Sequence, residues 1–180
     1  MNASVALLAA ALLAAPSDAD VRAHVEELLG AIDTRIPAAR WKGLGPAAVP
    51  VLAEIASSDA RMPSARCGAL SALVAADGAE ADRVARALVD SPDAPLTVRQ
   101  TAVRTLGHVL SPAQLRSALA PVLRAAPVGL RSVAAETLAR HAGQDACAEV
   151  MDQISLEPAA DHPRFERAAS LCAYPTVSQP

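Results

Sequence analysis

The sequence predicts an all-α chain, a short stack of about four to five antiparallel helical pairs, and three observations carry that prediction. Hydrophobic residues make up 52% of the 180 residues, yet aromatics make up only 2%. The apolar mass is Ala, Leu and Val, small enough for helices to approach closely, and no sustained alternation of the kind a half-buried strand needs is present. A segment also recurs. MPSARCGALSALVAADG, PLTVRQTAVRTLGHVL, PVGLRSVAAETLARHAG and HPRFERAASLCAYP each bring an Arg into register, Arg66, Arg99, Arg131 and Arg164, at intervals of 33, 32 and 33 residues. Within each copy a Leu follows seven places later (Leu73, Leu106, Leu138, Leu171). The third and fourth places hold Ala69 and Leu70, Ala102 and Val103, Ala134 and Ala135, then Arg167 and Ala168. Steps of 3, 4 and 7 keep to one face of a 3.6-residue helix, so each copy is an amphipathic helix with a narrow seam. Arg167 breaks the pattern in the final copy, as expected of a terminal repeat with one face in water.

Taken in order, the chain opens with MNASVALLAAALLAAPSDA, whose apolar run Val5–Ala15 is shorter than the ~20 residues a spanning helix needs. It reads as the core of a signal peptide over residues 1–19, with Ser17 and Ala19 as the small residues before a mature N-terminus at Asp20. No Lys or Arg precedes the run, and the competing reading is a hydrophobic capping helix of the stack. On the first reading residues 20–174 form the stack and residues 175–180 a frayed tail. A helix from Val21 to Ile32 places Val21, Val25, Leu28, Leu29 and Ile32 on one face. RIPAARWKGLGPAAVPVL then makes a degenerate connection in which Pro37, Arg40 and Leu44 echo Pro63, Arg66 and Leu70.

Between the Arg-bearing helices lie partners with the same spacing: Val49, Leu52, Ala53 and Ala56; Ala81, Val84, Ala85 and Leu88; Leu115, Ala118, Leu119, Val122 and Leu123; Cys147, Val150, Met151 and Ile154. Ser111, Pro112 and Gln114 spell a helix start with a capping box, and Asp77 with Glu80 spells a second. Pro92, Pro95, Pro127, Pro158 and Pro163 punctuate the turns, and Gly143 marks a stop. Pro50 and Pro121 fall inside predicted helices and are expected to kink them.

On these residues the chain resembles the HEAT-repeat superfamily, especially the short HEAT-like repeats named for phycobilisome lyases. Their second helix typically reads valine, arginine, then Ala and Leu-Gly, which VRQTAVRTLG (Val98–Gly107) follows, and GLGPAAVPVL (Gly43–Leu52) looks like the usual entry into a first helix. The resemblance covers Asp20 to Tyr174. It implies a right-handed α-solenoid and a scaffold that binds other proteins along a concave surface, although some members act on chromophores or DNA. The matched motifs are packing motifs, so the resemblance carries over no catalytic, metal or cofactor residue. It also gives the repeat arginines a structural role, each paired with a nearby acid. Asp59, Asp93 and Asp161 stand upstream of Arg66, Arg99 and Arg164, while the third copy, AAPVGLR, has none. The functional alternative is an Arg ladder clamping an anionic peptide or phosphate.

Cys147 lies near the start of the last first-helix and Cys172 near the end of its partner, so the two ends should be adjacent. A disulfide there would enclose 24 residues; the competing reading is two buried small hydrophobes. Cys67 is left over. His24, His108, His141 and His162 are scattered, although His108 and His141 recur at the same general place after their repeat arginines; they read as polar helix ends, and two imidazoles alone make a poor metal site. No HExxH, GxSxG, P-loop or GxGxxG occurs. A net charge of -3 gives no electrostatic draw toward nucleic acid or anionic lipid. These readings converge on an exported, periplasmic or secreted, monomeric, non-enzymatic scaffold with a protein or peptide partner, no cofactor and no membrane span. The alternative is a small lyase or hydrolase using a groove of the stack.

Overall fold

The computed structural model describes residues 17–31 and 36–173. Among them the chain is all-helical and no strand occurs: α1 (Asp18–Gly30), α2 (Ala38–Gly43), α3 (Ala48–Ser57), α4 (Pro63–Ala76), α5 (Gly78–Asp90), α6 (Leu96–Val109), α7 (Pro112–Ala125), α8 (Val128–His141), α9 (Gln144–Leu156) and α10 (Glu166–Ala173), with a 3₁₀ segment (Ala159–Phe165) before the last. The apolar run Val5–Ala15, Ile32, Tyr174 and the expected tail 175–180 lie outside the described residues. No described helix is long and apolar enough to cross a membrane.

Local chemistry sets the helix starts. Ser17 caps α1: its Oγ accepts the Asp20 N–H and its own N–H donates to Asp20 Oδ2, each at 3.2 Å. The cleavage expected after Ala19 therefore falls in the first turn of α1, and it would remove the cap while leaving Val21, the first buried residue, in place. At α7 the Ser111 N–H donates to Gln114 Oε1 at 3.1 Å, with Pro112 at the first helical position. Asp77 caps α5 through the N–H groups of Ala79 and Glu80. Glu80 turns to Arg83 instead of reaching back, so the expected reciprocal box is only half made. Pro50 lies in the first turn of α3, where the N–H it lacks would have had no intrahelical partner, so the expected kink has no cause there. Pro121 does sit inside α7, which continues through it to Ala125.

Consecutive helices pack in pairs, α3 on α4, α5 on α6, α7 on α8 and α9 on α10. The Arg-bearing helices also pack in series, α4 on α6, α6 on α8 and α8 on α10. The predicted seams supply that packing: Ala69, Leu70, Leu73, Ala102, Val103, Leu106, Ala134, Ala135 and Leu138 are all buried. Alanines at the contact let the axes come close, and the Leu side chains fill the remaining space. Gly107 lies at a close approach of α6 to α8, since a Cβ there would stand 2.7 Å from Thr137 Cγ2. At the near end, α1 is tied across by Arg22 to Glu54 and by Arg61 to Glu26, the latter at 2.6 Å.

The far end departs from the pattern. Arg164 lies in the 3₁₀ segment, so the last Arg-bearing helix begins two residues later, at Glu166. A 3₁₀ turn has fewer residues per turn than an α-helix and shifts the phase of the helix it leads into; Phe165, Ala168 and Cys172 form the buried face, with Leu171 only partly covered. On α9, Ala146, Cys147 and Val150 are buried, but Met151, expected on that face, is 44% exposed.

Candidate functional site

The repeat arginines occupy equivalent places in α4, α6 and α8 and act on the helix before. Arg66 Nε donates to the Ala56 carbonyl at 3.0 Å, Arg99 Nη2 to the Val89 carbonyl at 2.9 Å, and Arg131 Nη1 to the Ala126 carbonyl at 2.7 Å. Those carbonyls belong to the last turns or caps of α3, α5 and α7, where the helix leaves acceptors unpaired and presents its negative end. A guanidinium one helix later serves both needs. The acidic partners are less regular. Asp59 meets Arg66 at 2.7 Å, and Asp161 meets the exposed Arg164 at 3.5 Å. Arg99 is held by its carbonyl, with no hydrogen bond to Asp93. Arg131, for which no upstream acid exists, takes the buried carboxylate of Glu157 from beyond α9, which Gln153 also supports at 3.1 Å. That pairing holds the Glu157 carboxyl below its usual range, chiefly through the hydrogen bond from Arg131. Arg66, Arg99 and Arg131 are thus spent on holding helix ends together, which leaves little of them for a ligand.

A different set of charges faces solvent. A concavity of about 360 Å³ is lined by Arg104 and His108 of α6, Glu136, Thr137, Arg140 and His141 of α8, and Arg167 of α10. Glu136 Oε1 stands 2.9 Å from both Arg140 Nη2 and Arg167 Nε, so two guanidiniums converge on one carboxylate oxygen. Arg104 makes no ion pair among the described residues. Three guanidiniums against one carboxylate make the pocket locally positive on a chain whose net charge is -3. The two imidazoles meet edge to face, with centroids 4.9 Å apart. Gly107 permits this, because a Cβ on it would stand 2.9 Å from His141 Cδ2. Burial lowers the pKa of His141, and the neighbouring His108 and Arg140 add to that, which favours the neutral ring. Chemically the pocket offers forked donors for an oxyanion and an imidazole beside them. Among the described residues no group of three or more His, Cys, Asp or Glu is placed to hold a metal ion.

Cys147 and Cys172 are joined by a disulfide, with their Cα atoms 5.3 Å apart. It clasps α9 to α10 at the far end of the chain. Cys67 is a free thiol on α4, and its Sγ accepts from the Thr101 hydroxyl of α6 at 3.2 Å.

Compared with protein-family models, curated proteins and solved structures, the chain has no significant match. Its own geometry therefore carries the functional reading. The seam pattern does not single out Arg104, Arg140 and Arg167 as ligand-facing groups, although the sequence holds a signal for them. Arg104 and His108 of α6 recur 32 residues later as Glu136 and Arg140 of α8, the same interval read on the outer face instead of the seam.

Proposed function

We propose that this chain is a non-enzymatic protein-interaction module, a short right-handed α-solenoid of HEAT-like repeats that works outside the cytoplasm as a monomer. The observation that carries the reading is the serial packing of α4, α6, α8 and α10, with the positive pocket lined from α6, α8 and α10. Solenoids of this kind present such a series of helices to partners. The repeat arginines support it as recurring structural devices. The disulfide between Cys147 and Cys172 supports an oxidising compartment. Affinity capture of the tagged chain from an envelope fraction, with the intact mass measured on the same sample, tests the reading. A reproducible protein partner on a chain lacking residues 1–19 and carrying one disulfide is the expected result. Reduced cysteines, an intact N-terminus and no partner would overturn it.

One observation favours the alternative of a small lyase or hydrolase: a half-buried His141 with a lowered pKa beside forked arginines could act as a base on a bound acid. Untargeted profiling of an envelope extract tests this, since it requires an acidic metabolite depleted by the wild type and spared by His141→Ala.

A further inference from the structure

We infer that the pocket between α6, α8 and α10 is the docking point for a carboxylate-rich segment of a partner protein, with Arg104 and Arg167 as its principal contacts. This rests on the interaction-module reading and names the chemistry of the partner. Charge complementarity is the first argument. The pocket concentrates three guanidiniums around one carboxylate on an otherwise acidic chain, and Arg104 projects into it without an ion pair among the described residues. A cation left unpaired in a concave site is one whose counter-charge comes from elsewhere.

The second argument concerns which anion fits. Arg140 and Arg167 already converge at 2.9 Å on a carboxylate oxygen, that of Glu136, so the chain itself shows the group this fork accepts. Glu136 also limits the alternatives. A compact phosphate dianion seated among these arginines would lie against a fixed negative charge. Singly charged carboxylates spaced along a peptide can instead meet Arg104 on one side of Glu136 and Arg167 on the other. His108 and His141 face the same space from α6 and α8, their rings packed edge to face. The side chain of Arg167 is 72% exposed, so it can turn from Glu136 to an incoming acid at little cost.

The test is fluorescence anisotropy of a labelled hexaglutamate peptide with the full chain at low and moderate salt. Binding that weakens with salt is expected, with at least a tenfold loss on Arg104→Glu or Arg167→Glu. Arg83→Glu on α5, which alters net charge equally but lies outside the pocket, should leave the affinity unchanged. Glu136→Gln, which frees both arginines and removes the repulsion, should tighten binding severalfold. The inference is overturned by an absence of binding, by Arg83→Glu weakening the peptide as much as Arg104→Glu does, or by inorganic phosphate displacing the peptide at concentrations where acetate does not. A partner captured equally well by wild type and by Arg104→Glu would overturn the pocket assignment while leaving the interaction-module reading intact. Hexaglutamate binding with no protein partner captured would do the reverse.

Discussion

Glu157→Ala probes the far end of the fold, where a buried ion pair replaces the upstream acid of other repeats. The Glu157 carboxylate is 2% exposed and accepts from Arg131 Nε at 2.7 Å and from Gln153 at 3.1 Å. Removing one member of a buried pair costs about 3–5 kcal/mol, because the other charge is left desolvated without a counter-ion. Arg131 is 20% exposed and keeps the Ala126 carbonyl, which puts the expected loss near the lower end, about 3 kcal/mol. For a chain of this length each kcal/mol moves Tm by about 2–4 °C, so calorimetry should register a drop of about 6–12 °C. Glu157→Gln keeps the shape but presents an amide N–H to the guanidinium, and should fall between the two. Acidity supplies a second readout. The carboxyl's folded pKa lies below its ordinary value of 4.5, so its contribution is fully present above the unfolded value and disappears as pH falls through the lower folded one. The stability gap between wild type and Glu157→Gln should therefore hold at pH 7 and close below about pH 4.5. A Glu157→Ala protein within about 1 kcal/mol of wild type, with an unchanged acid profile, would refute the pairing as a structural element.

The same geometry sets expectations at three other places. Arg66→Met should cost about 2 kcal/mol by leaving the Ala56 carbonyl unpaired, whereas Arg164→Met, at an exposed site, should stay within about 0.5 kcal/mol; equal urea midpoints would show that the four arginines are not distinguished by their surroundings. Reducing the bond between Cys147 and Cys172, or replacing both by Ala, should cost about 3 kcal/mol in the loop-entropy model, and a melting curve indifferent to reductant would contradict it. Gly107→Ala sets a helix-propensity gain of about 1 kcal/mol against overpacking of about 1–3 kcal/mol where the new methyl meets Thr137 and His141. A net loss of stability with displaced His108 and His141 ring resonances is expected, and a stabilised protein with unmoved resonances would show that the α6–α8 contact has slack.

Helical periodicity makes the packing layer legible from sequence alone. The positions three, four and seven places after Arg66, Arg99 and Arg131 are the buried seam residues of α4, α6 and α8, because a repeated unit meets the same neighbour each time and solves the same packing problem with the same residues. Where the neighbour changes, the extrapolation fails. Arg164 falls before α10, in a 3₁₀ segment that follows Pro158 and contains Pro163, and the seam slips to Phe165 and Cys172. Met151 of α9 is exposed although its spacing assigns it to the seam. Pro50 departs from expectation for a local reason: periodicity finds the face of a helix but not its first residue, and a proline that would break an interior turn is harmless in the first.

The pocket shows why a site is harder to read than a seam. Burial imposes a pattern on sequence, whereas a charged face needs only the right groups in the right places, and each of these arginines looks on its own like an ordinary solvated residue. Arg104, Arg140 and Arg167 become a site through three facts that span the chain. The inter-helix step aligns α6 with α8, the phase shift at the 3₁₀ segment swings Arg167 outward to Glu136, and Gly107 lets the His108 and His141 rings touch. The residue that most spoils the repeat when read as packing, Arg167, is thus the one that the slipped register delivers to the pocket. The same irregularity explains both, since a seam position that faces water at the last repeat is free to carry a charge that no earlier repeat could bury.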